Sequence, residues 1–203
     1  PREKIKLPLV HKNDRKDLSQ YAIDLTNLNH VSPTHKWVSE AGQWDHAVQS
    51  YLASVTFADH CLGLVLDALE SSDYADNTVI ALFSDHGFHL GEKQHWAKCT
   101  LWQESTRVPL LFAGRGIKPG KTCAEPASLI DIYPTLVELC KLPQPPHLEG
   151  LSLVPQLNNP ATPRGRPAIT SSYFGNHSVR NRDWRLLVYS DGAEELYNHR
   201  NDP

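Results

Sequence analysis

Apolar side chains recur at helical spacing along one long stretch of this chain. Trp44, Ala47, Val48, Tyr51, Leu52, Val55, Ala58, Leu62, Val65, Leu66 and Leu69 are separated by polar or charged residues. This period predicts an amphipathic helix of about 26 residues that packs one stripe against a large neighbour. Upstream, from Pro1 to about Gln43, the chain is polar, is broken by Pro8 and Pro33 and keeps no period, which predicts extended loop with at most one helical turn. Downstream, a polar loop from Ser71 to Asn77 leads into Thr78 to Phe83, a continuous β-rich run of the kind buried on both faces. Helix, short loop and buried strand in that order predict a parallel α/β sheet.

Val108 to Phe112 is a second short apolar run, closed by Gly114, Gly116 and a Lys118-Pro119-Gly120 turn, and predicts another strand. Asp131 is placed to cap a helix reaching about Leu142, with Pro134 in its first turn. Seven prolines between Pro143 and Pro167 predict a surface connection. From Ala168 onward the alternation turns to period two, with strands predicted at Ile169 to Tyr173, Trp184 to Tyr189 and Glu195 to Tyr197 and a turn at Asp191-Gly192. These strands predict a small antiparallel sheet.

The 203 residues are 40% apolar and 21% charged, the composition of a folded globular chain. Basic and acidic side chains, 20 and 23, are well mixed for a net charge of -3, so no basic face is set up for nucleic-acid phosphates. No uninterrupted apolar run approaches the roughly 20 residues of a membrane-spanning helix. Cys61, Cys99, Cys123 and Cys140 show neither Cys-x-x-Cys nor zinc-ribbon spacing and are expected as small buried hydrophobes or one disulfide. A lone Asn176-His177-Ser178 sequon carries little weight. The chain opens on Pro-Arg-Glu-Lys and contains no Met, which suggests a fragment of a longer protein.

The strand at Thr78 to Phe83 ends in Ser84, Asp85, His86 and Gly87. A carboxylate and an imidazole thus stand at a strand's carboxyl end, where open α/β sheets place their ligands. A hard oxygen and an imidazole nitrogen suit one divalent ion, although two ligands are too few to hold it tightly. A strand-terminating turn with a hydrogen-bonded Asp is the competing reading.

The surrounding stretch decides between them. Ser84-Asp85-His86-Gly87-Phe88-His89-Leu90-Gly91-Glu92, His95-Trp96-Ala97-Lys98 and Leu101 to Leu110 resemble type I sulfatases of the alkaline-phosphatase superfamily, and the Gly-Glu and Trp-Ala-Lys pieces resemble the iduronate-2-sulfatase-like branch. Ala53 to Leu69, Asp131 to Leu136, Glu149 to Leu153 and Glu195 to Pro203 resemble further family segments in the same order. The resemblance implies Asp85 and His86 as ligands of calcium, Lys98 as the catalytic cation that binds the sulfate oxygens, and export to the periplasm or outside the cell. His89 and His95, which flank this stretch, are candidate substrate-binding residues beside Lys98. Glu92 is expected to cap a turn.

Two family features are absent from the sequence. No Cys or Ser is followed by Pro two residues later and Arg four residues later, the pattern that yields the formylglycine nucleophile, and no Asp-Asp pair is present. The reading is therefore a carboxy-terminal part of an α/β alkaline-phosphatase-like sandwich with a small antiparallel β subdomain. Residues 1–160 would belong to the large catalytic domain and 161–203 to the subdomain, with the formylglycine in a missing amino-terminal part. The parent would hydrolyse sulfated carbohydrate. A phosphodiesterase or phosphonate hydrolase of the same superfamily, and a noncatalytic fragment that self-associates, are the alternatives; no nucleic-acid partner and no membrane span are expected.

Overall fold

The computed structural model describes residues 2–11, 13–28 and 32–201. Its elements in chain order are α1 (Gln20–Leu25), α2 (His35–Glu40), α3 (Trp44–Glu70), β1 (Val79–Phe83), β2 (His89–Leu90), β3 (Trp96–Ala97), α4 (Gln103–Thr106), β4 (Leu110–Gly114), α5 (Ile132–Leu139), α6 (Val154–Asn158), β5 (Ala168–Ser172), β6 (Asn176–Arg180), β7 (Trp184–Val188) and β8 (Glu194–Asn198). They form a mixed α/β fold. The chain packs into two compact units, one made of Pro1–Ala75 and His86–Arg107, the other of Asp76–Asp85 and Val108–Pro203. This partition does not follow the division at residue 160: the terminal sheet shares a unit with β1 and β4.

In the first unit, α3 spans 27 residues as its period predicts. It packs chiefly through its first turns, where Val48 joins Val38 and Trp96 in a buried cluster lined by Ile5, Trp44, Ala47, Phe88 and Leu90. Farther along, the stripe residues Leu52, Val55, Val65 and Leu66 are exposed, so much of the apolar stripe meets no large neighbour among the described residues. By length and composition alone α3 is long and apolar enough to cross a membrane. Its apolar positions are interspersed with polar ones, Asp59, His60 and Asp67 among them, so no uninterrupted apolar run of that length exists.

The loop expected upstream is also corrected. It holds two six-residue helices, capped by Ser19 accepting from Ala22 N and Thr34 accepting from Trp37 N. Helices this short show no period, and their start signals are single side chains.

In the second unit, β1 and β4 pair antiparallel, from Val79 opposite Gly114 to Phe83 opposite Leu110. The parallel arrangement expected from the helix-loop-strand order is therefore wrong for this pair, and β1 is half-buried with Phe83 exposed. Asp131 stands at the N-cap position of α5 as expected, but its side chain caps the turn before that helix, in a capping box with Ser128, and not α5 itself. Its side chain accepts from Ser128 N at 2.9 Å and Leu151 N at 2.8 Å and is gripped by Arg164, with both residues buried. Arg164 in turn donates to Arg166 O and Pro167 O, which fastens the proline-rich connection to the start of α5.

The sheet β5-β6-β7-β8 is antiparallel throughout. Strand β6 is the one that sequence alternation missed, since Asn176, His177, Ser178 and Arg180 surround a single apolar Val179. Asn176 is fully buried and accepts from Ser190 N, so its sequon is masked. All four cysteines are unpaired, and Cys61, Cys123 and Cys140 are exposed, not the buried hydrophobes expected. The resemblance at Asp202 and Pro203 lies outside the described residues.

Candidate active site on a strained loop

Asp85 follows β1 in the second unit and is exposed. His86 opens the segment that belongs to the first unit, and the remaining site geometry is built there. Gly87 explains the third residue of the Asp-His-Gly motif. Its amide donates to Ser105 O at 2.9 Å, and a Cβ added to it would lie 1.9 Å from Glu104 O. Only glycine lets this backbone lie against α4.

His86 Nδ1 lies 2.9 Å from Gly87 O. A carbonyl only accepts, so Nδ1 carries the proton and Nε2 keeps its lone pair. Lys98 Nζ lies 2.8 Å from that Nε2. The loop thus places an ammonium beside an imidazole lone pair, and the Lys98 residue is exposed.

Around Lys98 the backbone is strained. Lys93, Gln94, Ala97 and Cys99 all have positive φ, at 49°, 52°, 66° and 75°. None is glycine, and each such residue costs on the order of 1–3 kcal/mol. Four in seven positions persist only if their surroundings hold them. Trp96 does so through its ring, buried against Val38 and Val48, through Nε1 donating to His35 Nδ1 at 3.1 Å, and through its carbonyl, which accepts from Ser32 Oγ at 3.0 Å. Leu101 and Trp102, both nearly inaccessible, anchor the other end.

Glu92 caps the turn as expected, its carboxylate accepting from Leu90 N at 2.7 Å. Gly91 beside it, at φ +125°, leaves room for the Trp44 indole, which a Cβ would meet at 2.8 Å. The Gly-Glu and Trp-Ala-Lys pieces are therefore the joints and anchors of one strained loop.

His89 and His95, the candidate substrate-binding residues, are both buried, at 0% and 2% exposure, with ring centroids 5.0 Å apart. His89 Nδ1 lies 3.2 Å from Glu92 O and Nε2 lies 2.9 Å from Thr100 Oγ1, which is 2.9 Å from Ser105 Oγ. His95 Nδ1 faces Thr26 O at 3.3 Å and Nε2 lies 2.9 Å from Lys98 O. Burial, followed by the neighbouring His95, pushes the His89 imidazole down to about 3, and burial lowers His95 as well. Both rings are thus neutral internal braces. Sequence reasoning had no signal for this role, because His95 is buried against a residue 69 positions away, Thr26.

Residues 8–142 match the family model described as "Sulfatase", and residues 91–203 match that of "N-sulphoglucosamine sulphohydrolase, C-terminal". The first covers well over half of the chain. This chain belongs to the sulfatase family.

Among curated sulfatase relatives, a "Sulfatase" from Formosa agariphila is 39% identical over all 203 residues, which span 40% of its length. A choline-sulfatase from Rhizobium meliloti is 33% identical over 76% of this chain and 31% of its own. The chain therefore spans well under half the length of these relatives. A protein solved in complex with its substrate D-glucosamine-2-N,6-O-disulfate is 25% identical, with a TM-score of 0.73 over 91% of this chain and 40% of its own. The phosphonate monoester hydrolase from Silicibacter pomeroyi, 23% identical with a TM-score of 0.74 over 98% of this chain and 45% of its own, shares the fold.

Proposed function

We propose that these residues form part of a sulfuric ester hydrolase of the iduronate-2-sulfatase-like branch, acting on sulfated carbohydrate and exported from the cytoplasm. The observation that carries this reading is the Lys98 ammonium held 2.8 Å from the His86 lone pair on a strained loop, inside the stretch matched by the family model. The sulfated glucosamine bound by the solved relative supports the substrate class.

The donor chemistry suits a calcium ion. Asp85 offers an exposed carboxylate and His86 a deprotonated Nε2 whose tautomer is set by Gly87 O. Among the described residues no group of three or more His, Cys, Asp and Glu side chains converges, so we assign the remaining ligands and the formylglycine nucleophile to a part of the parent protein outside these residues. The ion, when bound, polarises the sulfate oxygens. Lys98 neutralises charge on the transferring sulfuryl group and orients it. Replacing the ordinary partner of the Lys98 ammonium by a sulfate oxygen needs only a side-chain movement, because the loop backbone is already fixed.

Two measurements test the assignment. Calorimetric titration of this chain with calcium is expected to give weak binding that Asp85→Ala and His86→Ala abolish; unchanged binding in both variants overturns the ligand assignment. The parent polypeptide, carrying its formylglycine, is expected to hydrolyse sulfated glucosamine and to lose about 10²- to 10³-fold in kcat on Lys98→Ala, the usual cost of removing a charge-stabilising donor. Faster turnover of a phosphonate monoester than of any sulfate ester would establish the phosphonate hydrolase alternative instead. The 203-residue chain by itself is expected to have no turnover and to self-associate through exposed apolar side chains such as Phe57 and Leu64 of α3. A clean monomer on sizing chromatography counts against that last expectation.

A further inference from the structure

We propose that His95 is a positioning residue for Lys98, clamping the lysine's own peptide so that its ammonium is held beside His86. The inference rests on the reading of Lys98 as the anion-binding cation, and it adds the device that keeps that cation in place.

The geometry runs through the main chain. Lys98 sits between Ala97 and Cys99, both left-handed at φ 66° and 75°, a conformation that side chains with a Cβ leave when nothing holds them. The anchors on either side, the buried Trp96 and the Thr100 hydroxyl beside His89, fix the ends of this segment and leave the Lys98 peptide between two pivots. His95 acts on that peptide directly. Its Nε2 lies 2.9 Å from Lys98 O, while Nδ1 is the more distant nitrogen, 3.3 Å from Thr26 O. A neutral imidazole has one N–H, and the shorter contact assigns it to Nε2, donating to Lys98 O.

The ring is 2% exposed, and Thr26, which lies on its Nδ1 side, is buried at the C-terminal end of α1. Loss of this donor would remove the imidazole from the part-buried Lys98 carbonyl and let Ala97 and Cys99 relax, swinging the lysine stem away from His86 Nε2.

Differential acetylation of lysines, read peptide by peptide by mass spectrometry, tests the clamp without any turnover. Lys36, whose side chain is 82% exposed, is the internal reference. In the native chain Lys98 is expected to react more slowly than Lys36. His95→Phe keeps the ring volume and removes the donor; Lys98 is expected to label about fivefold faster, the population change given by a hydrogen bond of ordinary net strength, with Lys36 unchanged. His95→Gln, whose amide nitrogen reaches the place of Nε2, is expected to restore slow labelling.

Unchanged Lys98 labelling in a folded His95→Phe variant overturns the proposal. If His95→Phe does not fold, His95→Gln against His95→Asn decides, because asparagine reaches the place of Nδ1 and not of Nε2; equal labelling in those two overturns it. Inorganic sulfate separates this inference from the reading on which it rests. Failure of sulfate to protect Lys98 in the native chain sinks the anion-binding role, whereas the labelling difference between variants reports on the clamp alone.

Discussion

The two compact units each contain a buried polar hub, and the hubs are built from different chemistry. In the second unit Asp131 and Arg164 form a charged pair at 0% and 3% side-chain exposure, in which two guanidinium nitrogens bind the carboxylate and the remaining donors and acceptors meet Ser128, Leu151, Arg166 and Pro167 main chain. In the first unit His89 and His95 brace a loop with neutral rings. The charged hub fastens a proline-rich connection that must not move. The neutral hub holds a strained backbone and an exposed ammonium. Full ionic pairing suits structure alone; uncharged braces can sit beside an exposed ammonium without pairing with it.

The largest effect expected from breaking this comparison is at the charged hub. Arg164→Leu leaves Asp131 buried and unpaired and is expected to cost about 3–5 kcal/mol, read from the urea midpoint; a loss below about 1 kcal/mol would mean that water reaches the carboxylate.

Next comes Gly87→Ala. Its Cβ would lie 1.9 Å from Glu104 O, so the loop must part from α4, at an expected cost of about 1–3 kcal/mol. A variant as stable as the native chain would show that this approach is looser than described.

Titration sharpens the contrast further. His89 is pushed down to about 3 from an unfolded value near 6.5. Its contribution is therefore fully present above about pH 6.5 and is lost as pH falls toward 3, because the unfolded chain binds the proton first. Thermal melts between pH 7 and 4 should fall, on the order of a few kcal/mol from this ring, and His89→Gln should flatten the curve. An identical slope in that variant would locate the acid sensitivity elsewhere.

The smallest effect is at the pivots. Ala97→Gly removes left-handed strain but loosens the unfolded chain, so stability should change by about 1 kcal/mol or less. Lys98 should nevertheless acetylate faster, since the pivot is freed. Slow labelling in this variant would mean that strain does not guide the lysine.

Much of this was legible in the residues. The helix of α3 and the strands β1 and β7 follow from period and β-branched runs, because each depends on residues close in sequence. Strand β6 escaped because its alternation is polar on polar, and α1 and α2 escaped because six residues do not establish a period.

What the sequence alone determined is therefore the local grammar and the chemistry on offer: which side chains can ligate, which can neutralise an anion and which stretch is a sulfatase loop. What only the tertiary structure decided is how those groups are held. It turned β1 antiparallel to β4, gave Asp131 an ion pair 33 residues away, and buried His89 and His95 as braces of the loop. The physical reason is common to all three. A buried carboxylate or imidazole takes its role from whichever donors and acceptors surround it once water is removed, and those partners are distant in sequence.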